Sequence, residues 1–489
     1  MEQKTRYLQI ALGAALLLVG ATFLLSFRTG HPMNGDYALY ICQAQKLSAG
    51  EQWQAYRDMA DMLNLSTDRL YSPILYPWGL PLLLVLPYLL TGINYTAFKI
   101  VVMSCVPVTL FLLYRLFKVR HEFRYGAWVL LLTSLNTTIL STERIISTLP
   151  YLMFLVLSLL LIHRWQSIPA TDRKRQRKTA VVLGLSLFFT IQTRTEGILL
   201  FPAMLVQLLA NRTPGPLRKS WPDILLPCGV CLFLFLLTLP YLPVGYLVHA
   251  DHTHSMDFSI TDNLRYYLTT IPANCLPFLP KDNVWTAGGF WLLTGLGMWE
   301  AGRKALAEQG YIILHLLLLL TWPHQTERYA IPLIPLLLYF TVTGLYALSR
   351  PWMRKGEYAT GGILFFLTCC LLLHQGIELA TRQKEYDDIN LDVTGQSAQE
   401  MIAFLNEHAA ADDIIACGES RTIYLYTGRL SCNLSASAED TAAKANWYVL
   451  FRNRFNYLQH WPKELSDRPD LFHPVFENKD FIIYQTQRP

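Results

Sequence analysis

Apolar residues along this 489-residue chain come in blocks rather than in alternation. Eleven blocks approach or reach the ~20 residues that a helix needs to cross a bilayer. They lie near 7–27, 97–117, 125–141, 147–164, 178–191, 197–210, 223–243, 285–299, 309–322, 330–348 and 359–377. The pattern predicts a polytopic α-helical membrane protein with about eleven spans. Several blocks are short, which tilt or partial insertion accommodates. A further apolar stretch, 71–92, carries Pro73, Pro77, Pro81 and Pro87. Prolines interrupt helices, and one more crossing here would reverse the side of every later loop. This stretch therefore reads as a re-entrant or interfacial element.

The pattern changes near Glu378. Residues 396–407 read as a helix, 413–417 and 447–451 as short strands, and 481–484 as a closing strand after a turn at 477–480. The chain thus divides into a membrane unit, 1–377, and a small α/β unit, 378–489. The membrane unit has a long first loop at 28–96. In that loop Tyr37, Tyr40, Ile41, Ala44 and Leu47 recur at amphipathic helical spacing, and Gly50 would end the helix. Such a helix is expected to lie on the membrane surface with its apolar face in lipid. No 20–50-residue repeat is present, nor the inverted-repeat signal of a transporter.

Charge then orients the bundle. Only 16% of residues are charged, 52% are hydrophobic and the net charge is +5; the mean hydropathy is +0.25. These values exclude a disordered chain and argue against a soluble enzyme. Of 41 Lys/Arg and 36 Asp/Glu, 11 and 17 fall from Glu378 onward, leaving 30 and 19 before it. The tail is therefore −6 and the hydrophobic part +11. The excess sits in clusters: Arg115 to Arg124, Arg164 to Lys178, Arg212 to Lys219, Arg303–Lys304 and Arg350 to Lys355. Basic loops mark the cytoplasmic side. The N-terminus is then inside, and the loops near Glu143, Arg194–Glu196, 245–282 and 324–328 are outside, as is the tail. Lys4 and Arg6 precede an N-terminal run that reads as an anchor, with no small-residue cleavage site after it. No basic, aromatic-interleaved tail segment suggests nucleic acid as a partner.

The few ionisable residues left on the outer face are the informative ones. Asp36 stands at the start of the loop helix, either as its N-cap or as a carboxylate held at the surface to accept a proton from a hydroxyl. Glu143 falls in an outer turn beside Arg144. Lys99, Arg194, Glu196, Glu327 and Arg328 sit at outer span ends, where cations suit a membrane-anchored phosphate. His252, His254 and Asp257 are candidates for a divalent metal site. The only tail cysteines, Cys417 and Cys432, would be able to pair in an oxidising compartment.

The order of these motifs resembles the GT-C fold, polyprenyl-phosphate-sugar-dependent glycosyltransferases, close to the bacterial relatives of protein mannosyltransferase family 39 and of the aminoarabinose-to-lipid-A transferases. The resemblance rests on Gly35-Asp36-Tyr37, on Tyr76-Pro77-Trp78-Gly79-Leu80-Pro81-Leu82 and on Ser141-Thr142-Glu143. It continues through Arg194-Thr195-Glu196-Gly197, the run from Glu327-Arg328-Tyr329 to Pro335, and Tyr424-Leu425-Tyr426-Thr427-Gly428-Arg429. It implies transfer of a sugar from a polyprenyl-phosphate donor to an acceptor hydroxyl of a glycolipid, glycan or protein. Transfer would invert the anomeric carbon and take place on the periplasmic or exterior face of a bacterial cytoplasmic membrane. Asp36 would be the base or acceptor-orienting acid and Glu143 the second acid, with Lys99, Arg328 and Arg194 on the donor phosphate. Protein mannosyltransferases of eukaryotes show an Asp-Glu pair where this chain has Asp36-Tyr37. The competing classes are a transporter or flippase of lipid-linked sugars, a polysaccharide polymerase or ligase, and a non-catalytic scaffold.

Overall fold

The structure, a computed structural model, describes residues 2–33, 35–67, 75–140, 144–169, 171–210, 221–243, 259–323, 325–350, 353–389, 392–433, 437–452, 465 and 468–487. Among the described residues, each of the eleven expected spans falls largely on helix. Six stretches among the described residues are long and apolar enough to cross a membrane: Thr5–Ser26, Tyr95–Arg120, Thr148–Gln166, Val284–Thr321, Glu327–Ser349 and Tyr358–Thr381. The stretch Val284–Thr321 is two helices, Val284–Ala301 and Leu306–Thr321, joined by a 3₁₀ turn at Gly302–Ala305. The expected span 125–141 is instead a helix Phe123–Ser134, a break, and one turn Thr137–Leu140. Asn136 makes the break. Its amide donates to the carbonyls of Asn274 and Cys275, and its oxygen accepts from the Ile139 amide.

Small residues let two spans meet closely. A Cβ on Gly297 would run into the Phe340 carbonyl, and one on Gly344 into the Leu293 carbonyl. Thr294 and Thr341 share a hydrogen bond of 2.9 Å across the same seam. In lipid, where apolar burial does not drive helix pairing, backbone approach of this kind does. Gly297→Leu is expected to cost about 1–3 kcal/mol through overpacking, read as a lower thermal midpoint in detergent.

Among the described residues, the ion pairs of the bundle gather at two ends. At one end Arg120 pairs with Glu308 (2.8 Å) and Glu122 (3.0 Å), His163 meets Glu308 (2.8 Å), and Arg350 meets Glu300 (2.9 Å). The helix Tyr95–Arg120, about 39 Å long at 1.5 Å per residue, carries the chain from that end to the other. There Tyr95 bonds Tyr426 (2.6 Å) and its ring lies 5.5 Å from that of His31.

The 71–92 stretch contains a regular helix, Gly79–Thr91. The prolines do not prevent it. Pro77 precedes it and Pro81 falls in its first turn, where a missing amide costs nothing; only Pro87 is interior. Its thirteen residues span about 20 Å. Both flanks return to the Tyr95 end: Tyr76 before it is clasped by Gln43, and Asn94 after it caps the helix that starts at Tyr95.

The expected surface helix exists as Tyr37–Ala49, ended by Gly50 with φ +75°. Its surroundings differ from the expectation of an apolar face in lipid. Every residue from Tyr37 to Ala44 is buried, under the helix Gly79–Thr91 on one side and the tail helix Ser420–Thr427 on another. Periodicity shows that a face is apolar, not what covers it.

The tail carries a five-stranded sheet of order β2-β1-β3-β5-β4, with β1 Ile415–Cys417, β2 Ser431–Cys432, β3 Trp447–Phe451, β4 Phe472–Glu477 and β5 Phe481–Thr486. β1 runs parallel to β2 and β3; β5 runs antiparallel to β3 and β4. The helix Gln396–His408 agrees with its expected bounds to within a residue. The last bundle helix, Met353–Ile389, continues past 377 towards the tail. Cys417 and Cys432 are free thiols. The register sets Cys432 opposite Ala416, so Cys417 leaves the sheet on the other face.

Candidate functional site

The site begins with a turn that only glycine makes cheaply. Gly35 has φ +113°, a region that a side chain resists, and it turns the chain into the loop helix at Asp36. Asp36 occupies the N-cap position, yet its side chain makes no capping bond. Both carboxylate oxygens go to guanidinium groups instead. Arg421 Nη1 donates to Oδ1 (2.5 Å) and Arg328 Nη1 donates to Oδ2 (2.7 Å). One arginine comes from the tail helix and the other from the 3₁₀ turn Glu327–Leu333 that opens the helix Ile334–Ser349. Bundle and tail therefore meet on one carboxylate.

Tyrosines frame that carboxylate. The Tyr76 ring stacks on Tyr40 (4.7 Å between centroids), and the Gln43 amide fixes Tyr76 by bonding both its amide and its carbonyl. Tyr76 Oη accepts from Arg421 (3.4 Å) beside the Asp36 carboxylate. Tyr40 Oη bonds Ser147 Oγ (3.0 Å).

Burial would raise the Asp36 carboxyl, but Arg328 and Arg421, with the Tyr76 hydroxyl beside them, outweigh it and hold it well below the usual carboxylate range. Glu419 goes the other way. Burial pushes its carboxyl up to about 8 against the pull of Arg421 and the Gly35 amide, and the Asp36 charge adds to the rise. Near neutral pH Glu419 mostly keeps its proton. Two guanidiniums then share one carboxylate, and the cluster carries a net positive charge suited to an anion.

Arg194 lies close by. Its guanidinium sits 5.1 Å from the centre of the Tyr329 ring, and that of Arg328 sits 5.6 Å from the same centre. Arg194 is paired with Glu196 (2.5 Å). Arg194, Glu196, Trp322 and Tyr329, with the apolar Leu199 and Leu318, line a cavity of about 210 Å³. A lining that mixes charged and aliphatic side chains suits an amphiphile.

Of the expected site residues, the structure brings Asp36, Arg328 and Arg194 together. Lys99 is buried apart from them. Its ammonium donates to the carbonyls of Arg28 (3.1 Å) and Gly30 (2.6 Å), pinning the start of the first loop. Glu143 and the metal candidates His252, His254 and Asp257 lie outside the described residues. Among the described residues no group of three or more His, Cys, Asp or Glu converges as a metal site. Arg421, Tyr76 and Glu419 were not among the expected site residues. Tyr76 entered only as the first residue of the motif 76–82, and the pointer to the tail was the stretch 424–429, which starts three residues after Arg421.

The tail is bolted to the first loop by a row of side chains. Tyr37 Oη bonds Thr422 Oγ1 (3.1 Å), Thr422 donates to the Met33 carbonyl (2.6 Å), and Tyr424 donates to Asp58 (2.6 Å). Tyr37, where a second acid would stand in the eukaryotic protein mannosyltransferases, is spent on this contact and is 1% exposed.

No family model matches the chain, and no curated protein matches it either. Solved structures do. ArnT of Cupriavidus metallidurans, bound to undecaprenyl phosphate, aligns over 98% of both chains at 12% identity and a TM-score of 0.55. The oligosaccharyltransferase AglB of Archaeoglobus fulgidus, in complex with an inhibitory peptide and a dolichol-phosphate, aligns over 90% of this chain and 69% of its own at 9% identity (TM-score 0.53). The mycobacterial arabinofuranosyltransferase AftD covers 99% of this chain with 40% of its own, at 13% identity and a TM-score of 0.59. The chain has the GT-C fold. That fold is what these low identities share.

Proposed function

We propose that this protein transfers a sugar from a polyprenyl-phosphate donor to an acceptor hydroxyl. The observation that carries the reading is a nearly buried carboxylate flanked by two arginines at one end of a GT-C bundle. The neighbours' bound lipids, undecaprenyl phosphate on ArnT and a dolichol-phosphate on AglB, supply the donor class. In this reading the acceptor hydroxyl attacks the anomeric carbon, the bond from that carbon to the phosphate oxygen breaks, and polyprenyl phosphate leaves with the electron pair. The hydroxyl proton passes to Asp36. Attack opposite the leaving group inverts the sugar. Charge develops on the phosphate, so fixed cations lower the barrier more than an acid would. Arg328 is placed for that task, with Arg194 beside it; Lys99, seated on two carbonyls, keeps the loop in place.

Sidedness follows from the sorted ends. The basic clusters in the loops that begin at Arg120, Arg164, Arg303 and Arg350 lie on other connections than the one carrying Asp36, which supports a reading with Asp36 and the tail outside the cytoplasmic membrane. Acceptors on that face include glycolipids, glycans and proteins. A transporter of lipid-linked sugars would need working charges in mid-span; the ionic clusters described here lie at the two ends.

In a strain lacking the gene, one sugar-modified lipid or glycan of the envelope is expected to vanish and the polyprenyl-phosphate-linked sugar to accumulate severalfold. Mass spectrometry of both pools reads the outcome. Unchanged pools in cells that normally make the protein would refute the reading.

A further inference from the structure

In the structure Asp36 and Arg328 are bonded to each other, although sugar transfer asks one to take a proton and the other to hold a phosphate. A carboxylate gripped by two guanidiniums is a poor base. A guanidinium gripped by a carboxylate is a weakened phosphate ligand. We propose that the donor phosphate and Asp36 compete for Arg328, so that donor binding unmasks Asp36 Oδ2 as the basic atom, while Arg421 stays on Oδ1 as a positioning residue supplied by the tail. This rests on the reading of the site as a polyprenyl-phosphate site.

The two arginines differ in the way this division requires. The Arg328 side chain is 39% exposed and that of Arg421 only 11%. Arg328 stands on a 3₁₀ turn at the open edge, over Tyr329, with Arg194 on the same ring. It is able to swing to an incoming anion without leaving that ring. Arg421 is walled in. It lies in the first turn of the tail helix, touches Tyr76 (3.4 Å), and its neighbour Thr422 is tied to Tyr37 and Met33.

The groups facing Asp36 from each packed element are Arg328 from the 3₁₀ turn, Arg421 and Glu419 from the tail, Tyr40 from its own helix and Tyr76 from the segment before Gly79–Thr91. Glu419, mostly protonated near neutral pH, adds little negative charge of its own. Among the described residues, the anion that holds Arg328 and that a phosphate would have to displace is therefore Asp36, while Glu196 stays on Arg194. Once Arg328 moves to the phosphate, Asp36 Oδ2 is open to the acceptor hydroxyl. The proton lost by that hydroxyl lands on Oδ2 as the new carbon–oxygen bond forms and the carbon–oxygen bond to phosphate breaks, and it later passes to water. Donor binds before acceptor on this account.

The test uses the full-length protein in nanodiscs, with undecaprenyl phosphate as probe and uncharged undecaprenol as control. Asp36→Asn removes the competing anion and is expected to tighten undecaprenyl phosphate binding by about tenfold, the effect of one close charge. Arg328→Gln is expected to weaken it by a similar factor, and in that background Asp36→Asn should no longer tighten it. Equal or weaker binding by Asp36→Asn overturns the competition while leaving the donor reading intact, provided the wild-type protein prefers undecaprenyl phosphate to undecaprenol. If the wild type shows no such preference, the donor reading falls as well. A second measurement needs no variant. Hydrogen exchange of the wild type on adding undecaprenyl phosphate should change at 327–333 and stay level at 420–427. No change at 327–333 overturns the proposal, as does loosening at 420–427.

Discussion

Asp36→Asn is expected to lower sugar transfer on the order of 10³-fold while the protein still inserts and folds. Loss of a positioned general base typically costs 10²–10⁴-fold. The substitution keeps the side chain's shape but strips the negative charge from between Arg328 and Arg421, which contact its two oxygens at 2.7 and 2.5 Å. The amide cannot take the acceptor's proton. Asp36→Glu keeps the charge but pushes it outward by one methylene. A misplacement of about 1 Å is enough for roughly a 10²-fold loss, so this variant should fall between the two. The measurement is transfer of labelled sugar from a polyprenyl-phosphate donor by purified protein, with the thermal midpoint recorded alongside. An Asp36→Asn protein that keeps a rate within tenfold of wild type would remove Asp36 from the chemistry.

The second large effect lies at the opposite end of the bundle and concerns stability. Glu308 is 1% exposed and holds both Arg120 and His163 at 2.8 Å. Arg120 also donates to Glu122 (3.0 Å) and Tyr339 (2.6 Å), with its guanidinium 4.6 Å from the Tyr339 ring centre. Four separate stretches of chain are thereby tied at one point. Glu308→Ala leaves Arg120 buried without its main counter-charge, and breaking one side of a buried pair costs about 3–5 kcal/mol. Replacing both charges at once, Arg120→Met with Glu308→Met, leaves only the part-exposed Glu122 without a cation, still bonded by the Tyr339 hydroxyl, and should cost less than the single change. Thermal unfolding in detergent reads both. A double variant no more stable than Glu308→Ala would show that the cluster holds the helices by shape rather than by charge.

How much of this was legible in the sequence depends on the range of the signal. Helices spanning 20 residues announce themselves by composition, and the expected spans fall largely on helix. Asp36 stood out because few charges remain once the basic loops are assigned to the other side. Its real partners did not stand out. Arg421 is 385 residues away, and no local period connects the two. The loop helix was visible from its spacing, but the tail that covers its apolar face was not. The strand Ser431–Cys432 is two residues long, and Phe472–Glu477 shows an irregular burial pattern interrupted by Pro474; neither leaves an alternating trace. Lys99 read as a ligand for an anion because a cation at a span end fits that role by position. The carbonyls that claim it belong to a loop whose path no pattern gives.

The split origin of the carboxylate's partners also sets a clock on biogenesis. At about 5–20 residues per second, a ribosome needs roughly 20–80 s to travel the 385 residues from Asp36 to Arg421. Until then the first loop has been made without the helix that buries Tyr37 and without the arginine that steadies Asp36. If Asp36 acts as proposed, a nascent chain is inert until the tail docks on the first loop.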